Sequence, residues 1–319
     1  MAHDPYDLMD RRWLRRKLGF WRFAAIAILA LAVVGAALLL RGPEESWLGG
    51  DQIARISIEG VVTEDRDLLR LMDGLRTDPK VRAVILRIDS PGGTTTGGET
   101  IYEAARAIAE VKPVAAEVGS LAASAGYMIA SAADHIVAHN TSIVGSIGVL
   151  IQFADASKLL DTIGVKIDAV KSAPLKAEPS PFHPTDPEAR AMLGRIVADT
   201  YGWFVDLVAE RRKMSREDVL ELADGSIFTG QQGVKNGLVD TIGGEVELRA
   251  WLEAQPDMPK GLAIVDRKPD REGRFAFIEN ARSAAFSLVG LDPSARSLAE
   301  ALAGPAARLD GLVSLWQLR

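Results

Sequence analysis

Ser124 stands inside Gly119-Ser120-Leu121-Ala122-Ala123-Ser124-Ala125-Gly126-Tyr127, a run of small residues where an apolar strand pattern gives way to a helical one. A hydroxyl placed there can be approached by a substrate, and the backbone N–H groups that open a helix can stabilise a developing oxyanion. The same composition also suits an N-cap or a tight helix–sheet contact. Asp89-Ser90-Pro91-Gly92-Gly93 is a second turn, in which two glycines can direct N–H groups outward and let a carbonyl come close. A plain turn or a phosphate cradle would use the same residues. No Gly-Lys-Ser/Thr follows to hold phosphates and magnesium, so nucleotide binding is set aside.

A nucleophilic serine needs a base, and the chain offers His3, His135, His139 and His183. His135 and His139 flank the apolar Ile136-Val137-Ala138 and read as strand-end residues. His183 follows Ser124 with Asp155, Asp161 and Asp168 between them, so a Ser…Asp…His order is available. The other option is lysine. Its free pKa of about 10.4 would have to fall to about 7 to 8 through burial in an apolar site, at a cost on the order of 3 to 5 kcal/mol. Lys171 and Lys176 flank Ser172-Ala173-Pro174-Leu175 in a proline-rich stretch.

Positioning these residues falls to strands alternating with helices. Strands are expected over 52–60, 81–89, 113–118, 136–138, 147–153 and 262–265, and helices over 66–76, 96–111, 124–133, 157–163, 188–214 and 215–223. The β-turn-α-β order implies an α/β fold with a mainly parallel sheet flanked by helices, whose sites gather at the carboxyl ends of strands. Both glycine-rich turns fall at such ends. Pro174, Pro179, Pro181, Pro184 and Pro187 exclude a helix and predict chain extended over a surface. Two Ala/Leu-rich helical patterns, 274–288 and 294–312, follow in the tail.

Residues 23–40 are an uninterrupted apolar or small stretch, about 27 Å as a helix at ~1.5 Å per residue and close to the hydrocarbon thickness of a bilayer. Arg11, Arg12, Arg15, Arg16, Lys17 and Arg22 precede it with no acid among them. The expectation is a basic cytoplasmic segment over 1–22, a transmembrane anchor over 23–40 and a linker over 41–50, with the body on the exported side. A cleaved secretory signal is the rival reading. The net charge of −6 carries no basic footprint, which argues against a nucleic-acid partner. With no cysteine there is no disulfide or thiol chemistry, and no HExxH or clustered histidine pattern calls for zinc, so neither metal nor cofactor is expected.

Taken together, Asp89-Ser90-Pro91-Gly92-Gly93, Ala122-Ala123-Ser124-Ala125-Gly126-Tyr127 and Gly145-Ser146-Ile147-Gly148-Val149 resemble the signal peptide peptidase A family, relatives of Clp protease and the crotonases. Phe228-Thr229-Gly230-Gln231-Gln232-Gly233 with Gly237-Leu238-Val239-Asp240 resembles that family's closing motif, so the likeness spans roughly 53–244. It implies a Clp protease/crotonase-like fold, a Ser/Lys peptidase domain over 51–256 and a helical C-terminal extension over 257–319. It also implies Ser124 as nucleophile, Lys176 as general base with Lys171 as runner-up, and oxyanion donors drawn from Gly92, Gly93 and Ala125. The family joins serine and lysine from different copies of the domain, and this chain holds one copy, so a homo-oligomer is implied. The expected activity is endoproteolysis of spent signal peptides and other small apolar peptides, at the inner (cytoplasmic) membrane with the catalytic domain on the periplasmic side. Two departures from the family pattern are Ser-Ala-Gly in place of Ser-Gly-Gly, and Ala173-Pro174-Leu175 before the lysine.

Three rivals share parts of this pattern. A crotonase-like acyl-CoA enzyme would keep the sheet and the glycine turn but need a CoA site. A non-catalytic membrane scaffold of the same fold would use Ser124 only for packing. An α/β-hydrolase-type esterase would take its base from His183.

Overall fold

Successive residues of the central strands point to opposite sides of one sheet, and this alternation builds the protein. Ala54, Ile56 and Ile58, Val84, Leu86 and Ile88, and Val114, Ala116 and Val118 enter one apolar cluster, while Ile53, Ala83, Ile85 and Ala115 enter another. Both faces are therefore covered, as a parallel sheet requires. The computed structural model describes Trp21, residues 50–269 and residues 313–315. The segments expected to form the basic N-terminus, the anchor over 23–40, nearly all of the linker and the two tail helices lie outside the described residues. Among the described residues, no helix is long and apolar enough to cross a membrane.

The strands are β1 (Gln52–Val62), β2 (Val81–Thr94), β3 (Val114–Ala123), β4 (His135–Ala138), β5 (Ile143–Gly145), β6 (Ile227–Thr229), β7 (Thr241–Ile242), β8 (Ala263–Arg267) and β9 (Val313–Leu315). The helices are α1 (Arg66–Thr77), α2 (Thr95–Ala109), α3 (Ala125–Ser131), α4 (Ser157–Ile163), α5 (Pro187–Arg212), α6 (Arg216–Leu222), α7 (Gly230–Lys235) and α8 (Glu245–Glu253). The sheet runs β6-β5-β3-β2-β1-β8, with β4 between β3 and β7, and β9 on β2. All pairings are parallel except β5 with β6 and β2 with β9. This is the mostly parallel, helix-flanked α/β sheet that the alternation of patterns predicts.

Helix α1 shows how sequence sets an element. Asp65 caps it by accepting from the N–H groups of Asp67 and Leu68, and Leu68, Met72 and Leu75 recur at helical spacing on its buried face. Each such burial contributes roughly 1.5–3 kcal/mol. Helix α5 begins with Pro187 at its first turn behind the Asp186 cap, where a missing N–H does no harm. Leu248 and Leu252 of α8 cover the other face.

Three departures from the sequence reading bear on function. Strand β2 does not end at residue 89 but runs through the Ser-Pro-Gly-Gly turn to Thr94, with Gly92 and Gly93 in register with Val61 and Val62. Pro91 has no N–H to give a ladder, and a register shift after Ile88 absorbs the irregularity. The strand expected over 147–153 lies instead at β5, because Gly145 (φ 98°) and Ser146 (φ 51°) turn the chain out of extended conformation. Strand β8, expected in the C-terminal extension, joins the central sheet beside β1.

Candidate active site

Ser124 lies between β3 and α3 with φ 57° and ψ −120°, a conformation that non-glycine residues adopt only under constraint, at a cost of order 1–3 kcal/mol. Its N–H donates to the Gly145 carbonyl at 2.8 Å and its carbonyl accepts from Met128 N–H at 2.9 Å, so the turn is held from both sides. The Ser124 side chain makes no capping bond to α3. The N-cap use of this serine is thereby removed. The residue is buried, 1% exposed in the single chain.

The two small-residue turns meet. A β-carbon on Gly126 would stand 2.9 Å from the Ser90 carbonyl oxygen and 3.2 Å from its Cβ, so α3 begins directly against the β2 turn. A β-carbon on Gly93 would lie 1.8 Å from the Val62 carbonyl oxygen, where no side chain fits. Gly98 on α2 faces Ala125 and Met128 at similarly short range. Ser90, which the sequence reading left without a role, organises the turn: its hydroxyl donates to Gly60 O at 2.6 Å and accepts from Gly92 N–H at 3.1 Å. Gly92 N–H is thus occupied within the chain. Gly93 is paired in the sheet with Val62 and Ser314, and Ala125 opens α3, where the first N–H groups of a helix have no intrahelical acceptor.

The other motifs converge on the same turns. A β-carbon on Gly145, whose carbonyl holds Ser124, would come within 2.9 Å of the Phe228 ring, and Ser146 N–H donates to Ser226 O at 2.7 Å. Tyr127 is fully buried and its hydroxyl donates to Leu238 O at 2.9 Å. Burial pushes the Tyr127 phenol well above its ordinary pKa. Serine turn, Gly145-Ser146 turn and closing motif therefore form one packed unit.

The lysines fall on the irregular segment between α4 and α5. Lys171 is ion-paired with Glu178, whose carboxylate is 4% exposed, lies 3.1 Å from His183 Nε2 and accepts from Ser180 N–H at 3.0 Å. The hydrogen bond from Lys171 holds the Glu178 carboxyl below the usual carboxylate range. Lys176 sits one turn away, its N–H on Ala173 O at 3.1 Å, with Ala177 at φ 61° behind it. Its side chain is exposed and makes no ion pair among the described residues. Within one chain, then, the structure brings the turn of Ser124, Ala125 and Gly126 against Ser90, and it groups Lys171 with Glu178 and His183 separately. Glu178 carries no local signal that marks it beforehand. Among the described residues, no cluster of three His, Asp or Glu could hold a metal ion.

The sequence profile described as Clp protease matches residues 59–144, and this sheet with its flanking helices is a Clp protease-like α/β fold. The profile of peptidase family S49 matches residues 106–258. A protease-designated protein of Synechocystis sp. is 37% identical over 224 residues, covering 68% of this chain and 80% of its own. One of Methanocaldococcus jannaschii is 33% identical over 245 residues, covering 71% and 79%. An Enterococcus faecium protein designated signal peptide peptidase SppA is 34% identical over 246 residues, covering 72% and 70%. The chain belongs to peptidase family S49, the signal peptide peptidase A family. The matches support a peptidase, and do not favour the acyl-CoA or scaffold readings.

Proposed function

We propose that this peptidase is a membrane-anchored serine endopeptidase that degrades cleaved signal peptides and other small apolar peptides, with Ser124 as nucleophile and Lys176 as general base. The observation that carries the reading is the Ser124 backbone: a strained, positive-φ serine at a strand–helix junction, doubly held and packed against a glycine-pair turn, without a capping role. Strain of this kind persists where the surrounding structure over-determines it, and it gathers at reactive centres.

In the reaction, Ser124 Oγ attacks the scissile carbonyl carbon while the uncharged Lys176 amine takes the hydroxyl proton. The carbonyl oxygen, now an oxyanion, is stabilised by the N–H groups of Gly93 and Ala125. The C–N bond breaks, the lysine ammonium gives its proton to the departing amine, and a serine ester remains. Water, deprotonated by the same amine, then releases the acid and restores the serine. Lys171 is poorly suited to this role, since its amine is already engaged by the Glu178 carboxylate.

A lysine base works from a covered, apolar site, and the Lys176 side chain is exposed in the single chain, so it needs a covering surface. A second copy is the natural source. Leu159, Ile163, Val165, Ile167 and Val170, which precede the lysine, are all exposed large apolar side chains, up to complete exposure at Val170. Such residues along one segment suit contact with another subunit, supporting a homo-oligomer in which serine and lysine come from different copies. The apolar run over 23–40 with its preceding arginines supports a single-pass anchor in the inner membrane and a peptidase domain on the periplasmic side.

The test is intact-protein mass spectrometry after treatment with a serine-directed phosphonylating probe. One adduct per chain, absent from Ser124→Ala and mapped by digestion to residue 124, is expected. No adduct, or one at another serine, would overturn the assignment.

A further inference from the structure

Helix α3, which Ser124 opens, is short: seven residues, or about 10 Å at ~1.5 Å per residue. A helix of that length has too few internal hydrogen bonds to hold its own shape, so its place is set from outside. At the serine end no side chain caps it, and the backbone there is itself strained. The far end is therefore where its position along its own axis is decided.

Every carbonyl at that end has a donor. The Ser131 hydroxyl donates to Met128 O at 2.6 Å, and the N–H groups of Ala132 and Ala133 donate to Ile129 O and Ala130 O, each at 3.1 Å. The next three carbonyls, of Ser131, Ala132 and Ala133, belong to buried residues and have no intrahelical donor. Two arginines from different helices supply them. Arg211 of α5 donates from Nε to Ser131 O at 3.1 Å and from Nη2 to Ala133 O at 3.3 Å, and Arg106 of α2 donates from Nη1 to Ala132 O at 2.9 Å.

One carboxylate orients both guanidiniums. Asp134 Oδ1 lies 3.3 Å from Arg106 Nη1 and 3.7 Å from Arg211 Nη2. The rest of Asp134 turns back to the sheet: Oδ2 accepts from Val114 N–H at 3.1 Å, and its own N–H donates to Val114 O at 2.8 Å. Val114 begins β3, the strand that ends in the serine turn. The chain from Val114 through Ser124 to Asp134 is thus a closed loop, pinned at its base by two arginines. A glycine after α3 could close the helix without charge. Two cations side by side are the less favourable solution, and burial first, the Arg106 charge second, draw the Arg211 guanidinium below its ordinary pKa. What a guanidinium adds is direction, because its donors form a rigid planar fork.

We propose that Arg106 and Arg211 are positioning residues for peptide hydrolysis: holding the last carbonyls of α3 from two sides, they fix how far the helix stands along its axis, and so where Ser124 meets the substrate carbonyl. This rests on the assignment of Ser124 as nucleophile. A two-turn helix moves as a unit, so slack at Ser131–Ala133 is passed to Ser124. A misplacement of ~1 Å at the reacting atoms lowers a rate by up to about 10²-fold.

The experiment compares the unaltered full chain in detergent with Arg106→Lys, Arg211→Lys and Arg211→Ala. Arg55→Lys is the control: its side chain is 17% exposed, as is that of Arg211, and it pairs with Asp266 and Glu245 on the face of the sheet that α8 covers, away from α3. Melting temperature, kcat and KM for an apolar peptide, and the rate of phosphonylation at residue 124 by intact mass are measured for each. Each lysine variant at 106 or 211 should lose at least about fivefold in kcat and in phosphonylation rate, and Arg211→Ala up to about 10²-fold, with KM within about twofold of the unaltered value. Arg55→Lys should keep both rates whatever it loses in melting temperature. Losses smaller than about fivefold in the lysine variants, losses matched by the control, or losses carried by KM overturn the inference. Should Arg211→Ala fail to fold, the lysine variants, which keep the charge and lose only the fork, decide the outcome. No phosphonylation of residue 124 in the unaltered protein sinks the nucleophile assignment and this inference with it. A normal adduct there with undiminished rates in the lysine variants removes the positioning role alone.

Discussion

Gly126 approaches Ser90 so closely that a β-carbon on it would stand 2.9 Å from the Ser90 carbonyl oxygen. Through this contact the serine-bearing turn takes its position from the glycine-bearing one. Gly126→Ala must push α3 away from β2, an overpacking that costs typically about 1–3 kcal/mol. A thermal melt should show a modest loss of stability, while kcat falls by up to about 10²-fold, because displacing a nucleophile by ~1 Å is felt mainly in the chemistry. A melt and a rate that fall in proportion would mean the contact only stabilises the fold. Gly93→Ala, aimed at the Val62 carbonyl at 1.8 Å, should fail to give folded protein at all.

Removing the proposed nucleophile and the proposed base separately distinguishes the two lysines. Ser124→Ala and Lys176→Ala should each lower kcat by at least about 10³-fold with the assembly intact by light scattering. Lys171→Ala should instead perturb the loop, because it leaves the carboxylate of Glu178, 4% exposed, with only His183 and Ser180 N–H beside it. Full activity in Lys176→Ala would transfer the base to Lys171 or His183. If serine and lysine come from different copies, mixing inactive Ser124→Ala with inactive Lys176→Ala subunits should restore part of the rate.

Acid should loosen the lysine-bearing segment. The Glu178 carboxyl is held below its usual range by Lys171, and the Asp266 carboxyl by its hydrogen bond from Arg55. A depressed folded-state pKa means that stability from these pairs is fully present above the unfolded carboxylate values, about 4, and is lost as pH falls through the folded ones. Melting temperature should therefore be flat from neutrality to about pH 5 and drop below pH 4. Glu178→Gln should flatten the part of that drop belonging to the 171–183 segment, as read by proteolysis of the loop.

Tyr127 tests the link between the serine helix and the closing motif. Tyr127→Phe deletes only the hydroxyl and leaves Leu238 O without its 2.9 Å partner in a fully buried site. A loss of about 1–3 kcal/mol by chemical denaturation is expected. No loss would mean that water replaces the hydroxyl there.

Much of this molecule could be read along the chain. The serine turn, the glycine pair and the alternation of strands with helices are properties of a few adjacent residues. Their backbone requirements and periodicities are written locally. The continuation of β2 through Pro91 was not legible, because it depends on Ser90 finding Gly60 and Val62 passing beside Gly93. Nor was the division of labour between the lysines: Lys171 and Lys176 look alike in sequence, and only the fold puts a carboxylate against the first and leaves the second exposed.

The sequence by itself determined which residues can do chemistry and the layered α/β class, since both follow from residue type and short-range spacing. Tertiary structure decided that Gly92 N–H is taken by Ser90, which lysine is already paired, and that residues 313–315 lie on Gly92–Thr94. Those outcomes join residues far apart along the chain or compete for a single hydrogen-bonding group. No local pattern encodes them, because the free energy that selects among the alternatives comes from the packing of the whole sheet.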